Sequence, residues 1–143
     1  MTTETITISL ADFIAKHGLR MTVSPAARNP NAADDEWARD ADHWRCTIMC
    51  GRARMIVHFS KGSGHHGEPA ELPEVLDSLA MDAAGIVNAR DFADWCAEYS
   101  YDTDSRKAER TFKACKRQAA SLRSLLLDRS GAFEELLFNT ERE

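Results

Sequence analysis

The chain has 143 residues, of which 43% are hydrophobic and 29% charged, and its formal net charge is −5. These values are those of an ordinary globular domain and exclude a chain too polar to fold. The sequence contains no apolar run of the roughly 20 residues that a membrane span needs, and the opening MTTETITISL lacks the basic and apolar regions of a signal peptide. We therefore expect a cytoplasmic protein that does not associate with membranes, whose four cysteines remain thiols.

The N-terminal part of the chain predicts a short helix followed by a strand. Ser9 or Asp12 can begin the helix, which runs through Lys16 and ends at Gly18. Residues 19–24 then read as a first strand. Residues 25–41 are rich in Pro, Asn, Ala and Asp, and we expect them to form a flexible loop.

A β-hairpin is predicted next, with strands over residues 43–49 and 54–60 and a turn over 50–53. Aromatic and β-branched residues around a glycine-containing turn are typical of hairpins. Residues alternate between an apolar set and a more polar set, which predicts a sheet with one buried face. The apolar set is Trp44, Cys46 and Ile48, and the other is Arg45, Thr47 and Met49.

The C-terminal half predicts four helices, over residues 72–81, 89–99, 104–127 and 132–138. Asp102 or Asp104 is expected to cap the third of these helices. Three antiparallel strands form a minimal sheet that needs a covering layer, and these helices can supply it. The sequence therefore predicts a single α+β domain over residues 1–143: a small three-stranded antiparallel sheet in the N-terminal half, covered by a C-terminal layer of about four helices.

The helix predicted over residues 104–127 has two faces of opposite character. Its apolar face carries Ala108, Phe112, Cys115, Ala119, Leu122 and Leu126. Its opposite face carries four cations, here named the cationic ridge: Arg106, Arg110, Lys113 and Arg117. Like charges at this spacing repel one another by a few tenths of a kcal/mol per pair, so an acidic partner would stabilise them. The ridge is therefore a candidate binding surface, with a solvated helix face as the alternative.

An acidic segment precedes the hairpin, formed by Asp34, Asp35, Glu36, Asp40 and Asp42. Such a run is typical of a solvated loop. As a functional alternative, it can mimic nucleic-acid phosphates when offered to a DNA-binding partner. It is thus a second candidate partner-binding surface.

The sequence KGSGHHG follows the hairpin and is a candidate ligand loop. Its glycines let backbone amides approach an anion, Lys61 adds a charge, and Ser63, His65 and His66 could contact a ligand. The loop lacks the spacing of phosphate-binding and dinucleotide-binding motifs, so a plain structural turn is the alternative. Cys46 and Cys50 do not form a convincing zinc site with the nearby histidines. We predict no cofactor, no metal and no catalytic residue.

Several segments resemble a family of small uncharacterised proteins encoded in bacteriophages and prophages. The resemblance extends from about Asp42 to the end of the chain. It is carried by the sequence motifs GSGH, DFADWC and YDTDSRKAER and by the C-terminal segment FEELLFNTERE. A position that is usually glycine in that family is Ser100 here. The resemblance implies no activity or catalytic residue. It implies a genomic context in which small accessory proteins often bind host proteins, including CRISPR systems and other defences.

Two hypotheses of different classes follow, and a third is kept open. In the first, the protein binds and inhibits a host protein, such as an antiviral defence complex in the bacterial cytoplasm, through either the acidic segment or the ridge. In the second, the ridge and Lys61 bind nucleic acid directly. The negative net charge favours the first. The third is a small enzyme that uses the GSGHH loop. The sequence leaves the oligomeric state open.

Overall fold

A computed structural model of the chain describes residues 7–27, 43–60, 71–127 and 131–142, with the backbone alone at residues 59 and 60. It confirms the predicted α+β fold, with a three-stranded antiparallel sheet in the N-terminal half and helices in the C-terminal part. The described elements, in chain order, are β1 (Ile8–Ser9), α1 (Leu10–His17), β2 (Leu19–Ala26), β3 (His43–Cys50), β4 (Ala53–Ser60), α2 (Leu72–Asn88), α3 (Phe92–Glu98), α4 (Arg106–Leu125), α5 (Ala132–Phe138) and β5 (Thr140–Glu141).

Helix α1 begins and ends as its sequence predicts. The Ser9 hydroxyl accepts a hydrogen bond of 3.1 Å from the Asp12 backbone N–H, which satisfies one of the open donors of the first turn. Gly18 ends the helix with a φ of 65°, a left-handed conformation that glycine adopts without steric cost. The chain then passes directly into β2.

The sheet has the order β2-β3-β4, with both neighbouring pairs antiparallel. Strands β3 and β4 are joined by a two-residue loop in which Gly51 has a φ of 60°. Strand β2 continues to Ala26, two residues beyond its predicted end, and includes Pro25. The strand tolerates proline because it lies at the edge of the sheet. The predicted flexible loop is therefore wrong at Pro25 and Ala26, and its residues 28–41 lie outside the described residues.

The two faces of the sheet differ as the alternation predicts. One face, here called the core face, contributes six buried residues to the hydrophobic core: Leu19, Cys46, Ile48, Cys50, Met55 and Val57. The strand register places Arg20, Arg45 and Arg54 on the other face, here called the open face. None of the sheet residues in the core cluster comes from the open face.

Helices α2 and α4 pack against each other, and α4 also contacts β4. Helix α2 is longer than predicted and ends at Asn88 rather than at Met81. Asp82 and Gly85 weaken the helical pattern in the sequence, but Ala83 is buried in the core and Ile86 packs against it, so the contact continues past both residues. Helix α3 is correspondingly shorter than predicted. It begins at Phe92 because the Asp91 side chain caps it, accepting a hydrogen bond of 2.8 Å from the Asp94 N–H.

Helix α4 has the predicted faces but a different cap. Ser105, rather than Asp102 or Asp104, accepts a hydrogen bond of 3.2 Å from the Ala108 N–H. Asp102 instead accepts from the backbone N–H of Asp104 in the preceding turn. The helix ends at Leu125, and Leu127 follows in a left-handed conformation with a φ of 59°. The predicted apolar face is confirmed, since Ala108, Ala119, Leu122 and Leu126 are buried and Phe112 and Cys115 are half-buried.

A second, smaller core of aromatic side chains joins α3 to the start of α4. The Trp95 ring is buried and lies 5.2 Å from the ring of Tyr101 and 5.3 Å from that of Phe112, measured between centroids. Tyr99 shares the helical spacing of Phe92, Trp95 and Cys96, which predicts that it is buried with them, but it is 45% exposed. Its ring contacts Trp95 and its hydroxyl lies against Gly85 of α2, where a Cβ atom would overlap it. Glycine at this position thus lets α3 approach α2 closely.

The two ends of the described chain are joined by contacts that the sequence does not predict. Strand β1 pairs in parallel with β5 over only two residues, too few to leave a sequence pattern. The Glu135 carboxylate lies 2.9 Å from the Lys16 ammonium and 3.2 Å from Nε2 of His17. Partial burial acts to raise the pKa of Glu135, but hydrogen bonds from Lys16 and His17 outweigh it and lower the pKa.

Replacing Glu135 with Gln should lower the free energy of unfolding by about 1 kcal/mol at pH 7, because the ionic contacts with α1 are lost. Since the pKa of Glu135 is lowered in the folded state, its contribution is complete above the ordinary carboxyl pKa and is lost as the pH falls through the lowered value. Urea unfolding between pH 7 and pH 3 should show the difference between wild type and Glu135→Gln shrink with falling pH. Glu134→Gln is the control, because Glu134 is exposed and 3.6 Å from Arg123. A constant difference across this range would contradict the prediction.

Replacing Trp95 with Ala should lower the free energy of unfolding by about 3–5 kcal/mol, because it leaves a cavity among the rings of the second core. Phe138→Ala, at a side chain that is 51% exposed, should cost far less. Thermal unfolding followed by circular dichroism measures both changes. Equal losses in the two variants would show that Trp95 is not a core residue.

Candidate partner-binding surfaces

The structure places all four residues of the cationic ridge on the solvent side of α4. Arg106, Arg110, Lys113 and Arg117 are all exposed, as their spacing predicts. Along the helix axis they span about 16 Å, at a rise of about 1.5 Å per residue. The ridge is therefore a straight, narrow line of charge.

The ridge is held in place by the opposite side of its helix. Leu122 is fully buried in the main core, and Ala108 is fully buried in the second core, so α4 is anchored near both ends. A rigid helix loses little conformational entropy on binding, apart from that of the cationic side chains themselves. The ridge is thus a preformed surface.

Helix α4 itself carries few acidic residues. Over residues 106–125 it carries seven cations and a single acidic residue, Glu109. Glu109 lies 3.0 Å from Lys113, and this pair is weak because both side chains are more than half exposed. Among the described residues, neither Arg106 nor Arg117 forms an ion pair with an acidic side chain. Helix α4 is accordingly the most basic of the described helices.

Other cations of α4 are used within the protein. The ammonium of Lys116 lies 5.5 Å from the centre of the Phe112 ring, and the guanidinium of Arg123 lies 4.2 Å from that of Phe133. These are cation–π contacts, which fix the side chains against the two cores. The ridge cations lie on the face of α4 opposite its apolar face and are exposed to solvent.

The remaining site residues predicted from sequence lie outside the described residues. These are Lys61, Ser63, His65 and His66 of the glycine-rich loop, and Asp34, Asp35, Glu36, Asp40 and Asp42 of the acidic segment. The hypotheses that the glycine-rich loop binds a ligand and that the acidic segment binds a partner therefore stay predictions.

The open face of the sheet is a second basic surface, which the sequence prediction missed. Arg20, Arg45 and Arg54 are exposed there on three different strands. The three strands and the hairpin loop contain no Asp or Glu. Within the part of the chain that the structure describes, none of the three arginines forms an ion pair. The absence of acidic residues from residues 19–26 and 43–60 was the signal that could have indicated this surface.

All four cysteines are free thiols, as predicted; Cys46, Cys50 and Cys96 are buried in the cores and Cys115 is half-buried. Cys46 and Cys50 are buried on the core face, whereas His58 lies on the opposite face of the same sheet, where its ring stacks 4.7 Å from that of His43. The sheet itself therefore separates these thiols from this imidazole. The described residues contain no group of three or more side chains placed to hold a metal ion.

The thiol of Cys115, the half-buried cysteine, is a poor nucleophile. Burial, reinforced by the negative charge of Asp82, raises the pKa of Cys115 to about 11. Because the thiolate is the nucleophilic form, this thiol is almost entirely unreactive near neutral pH. Burial likewise raises the pKa of Cys46 and of Cys96.

Comparison with known proteins did not identify a relative. No family model matches the chain, and neither curated proteins nor solved structures gave a match. The resemblance to phage-encoded proteins thus stays a prediction. Among the described residues, no helix has both the length and the apolar character that crossing a membrane requires.

Iodoacetamide should label Cys115 of the folded protein very slowly at pH 7.5, because the pKa of about 11 leaves almost no thiolate. Labelling should become fast in concentrated urea, where the pKa returns to its ordinary value. Mass spectrometry of the labelled peptides measures both rates. Ser121→Cys is the control, since Ser121 is exposed on the same helix and the introduced thiol should react in the folded state. If Cys115 and the introduced thiol were labelled equally fast in the folded protein, the assignment would be contradicted.

Proposed function

We propose that the protein acts by binding rather than by catalysis, and that it attaches through its cationic ridge to an acidic surface of a host protein. In the setting that the sequence resemblance implies, the partner belongs to an antiviral defence complex of the bacterial cell, and occupation of its acidic surface inhibits it. The observation that carries this proposal is the exposure of four cations on one line of an anchored helix.

The geometry of the ridge suits an acidic protein surface. Its cations repeat at intervals of three and four residues, which is also the spacing of side chains along one face of a partner helix. Two facing helices of opposite charge can therefore form several ion pairs in register. The contact of Lys113 with Glu109 is easily exchanged, because it is solvent-exposed and worth little in water.

Charge of this kind affects the rate and specificity of association more than its strength. Complementary charged surfaces steer encounter and suppress wrong partners, while packed apolar groups supply much of the affinity. The proposal therefore predicts an interaction that weakens strongly with salt. It also predicts that loss of the ridge charges slows association.

The second candidate function is nucleic-acid binding by the same ridge. It is favoured by Arg106 and Arg117, which form no ion pair among the described residues and have the planar donor geometry that recognises phosphate. The two functions differ in whether the bound material survives nuclease treatment.

The test is affinity capture of the tagged protein from a bacterial lysate, with and without nuclease, read out by mass spectrometry. The ridge variant Arg106→Gln/Lys113→Gln/Arg117→Gln removes three charges without reversing any. We expect wild type to retain a nuclease-resistant acidic protein and the ridge variant to lose it by tenfold or more. The sheet variant Arg20→Gln/Arg45→Gln/Arg54→Gln changes the net charge equally and should retain that protein.

Three outcomes would contradict the proposed function. Equal capture by wild type and ridge variant would show that the ridge is only a solvated helix face. Equal losses in the ridge and sheet variants would show an effect of net charge alone. Material that disappears after nuclease, and that the ridge variant fails to bind, would move the assignment to nucleic acid.

A further inference from the structure

The arginines of the open face form a frame around an uncharged centre. Arg20, Met49 and Arg54 lie side by side in one row across the three strands. At about 4.8 Å between neighbouring strands, the backbones of the two arginines are about 10 Å apart. Arg45 lies on the central strand four residues from Met49, about 13 Å along the strand. Three cations thus stand at the corners of a triangle.

The centre of the triangle is neutral and partly apolar. The next row consists of Thr22, Thr47 and Ile56. The Ile56 side chain is 42% exposed, and Met49 is half-buried beside it. The open face therefore offers hydroxyl groups and apolar surface between guanidinium groups, on a rigid three-stranded platform.

This arrangement differs from that of the ridge. The ridge is a line of charge on a convex helix, whereas the open face distributes its charges over two dimensions around an apolar centre. Its permanently charged residues are arginines only, with no lysine in the strands or the hairpin loop. Arginine binds phosphate through paired N–H groups and stacks on planar rings, which lysine does not.

We propose that the open face binds single-stranded nucleic acid, with Arg20, Arg45 and Arg54 contacting phosphates and the bases lying over Ile56 and Met49. A single strand is favoured over a duplex because its unstacked bases can cover exposed apolar side chains, whereas a duplex hides its bases. It is favoured over an acidic polypeptide because a guanidinium group can pair with a phosphate and can also stack on the planar bases, which runs of Asp and Glu do not offer. This inference does not depend on the partner of the ridge.

The net charge of −5 does not prevent such binding. At physiological ionic strength, charges further apart than about 8 Å are largely screened, so the local charge governs the contact. The sheet with its hairpin loop carries four arginines and no acidic residue. Charge elsewhere on the chain slows the approach of a polyanion more than it weakens the bound state.

The test measures binding of fluorescein-labelled dT20 to the full-length protein by fluorescence anisotropy between 50 and 200 mM NaCl. We expect a Kd of about 1–100 µM near 100 mM salt, in the range of sequence-independent binding. Three neutralised phosphates on a single strand predict that log K falls with log salt at a slope of about −2. The sheet variant should bind at least tenfold more weakly, with a slope near zero.

The matched control is the variant Arg90→Gln/Lys107→Gln/Lys116→Gln, which also loses three charges, at exposed positions outside both the sheet and the ridge. It should change the Kd less than twofold. The urea midpoints of both variants establish that they are folded. If the sheet variant is unstable, Arg45→Gln alone, at an exposed position, should still weaken dT20 binding severalfold.

Four results would overturn the inference. The first is that wild type does not bind dT20, and the second is that the folded sheet variant binds it as tightly as wild type. The third is that both triple variants bind dT20 equally weakly. The fourth is that poly-L-glutamate competes with the labelled dT20 as effectively, per charge, as unlabelled dT20 does. The last result would identify an acidic protein surface as the ligand of the open face. None of the four depends on whether affinity capture finds a partner for the ridge.

Discussion

Burial of the core face of the sheet is the constraint on which the rest of the structure depends. A three-stranded sheet with one apolar face is not stable alone in water, and here α2 and α4 supply the covering layer. The contact orients α4, because Leu122 and Leu126 must face the core. The ridge then faces solvent as a consequence of helix geometry. The open face is left on the far side of the sheet by the same burial.

An acidic chain thus has two basic surfaces whose positions are set by one packing interaction. The helical layer and the sheet lie between them, so a ligand on one surface need not compete with a ligand on the other. If both proposals hold, a single molecule can contact an acidic protein and a nucleic-acid strand at the same time.

The contacts around this core explain local features of the chain. The second core requires α3 to approach α2 at Gly85, and it holds Tyr99 at the surface with its hydroxyl against that glycine. Ser100 follows with a φ of 60°, a left-handed conformation that glycine adopts at lower cost. Glu135 and the short pairing of β1 with β5 join the two ends of the described chain across α1 and α5.

The sequence by itself determined the features that depend on neighbouring residues. Alternation and turn chemistry predicted the hairpin, and helical spacing predicted α5, both faces of α4 and hence the ridge. The cap of α4 was missed because Asp102, Asp104 and Ser105 all have capping side chains, and only the backbone conformation selects among them. The end of α2 at Asn88 and the exposure of Tyr99 depend on contacts between helices, so local propensity could not give them. The arrangement of Arg20, Arg45 and Arg54 on one face required the register of all three strands, because β2 is distant in sequence from the hairpin of β3 and β4 and is aligned with it only in the packed sheet.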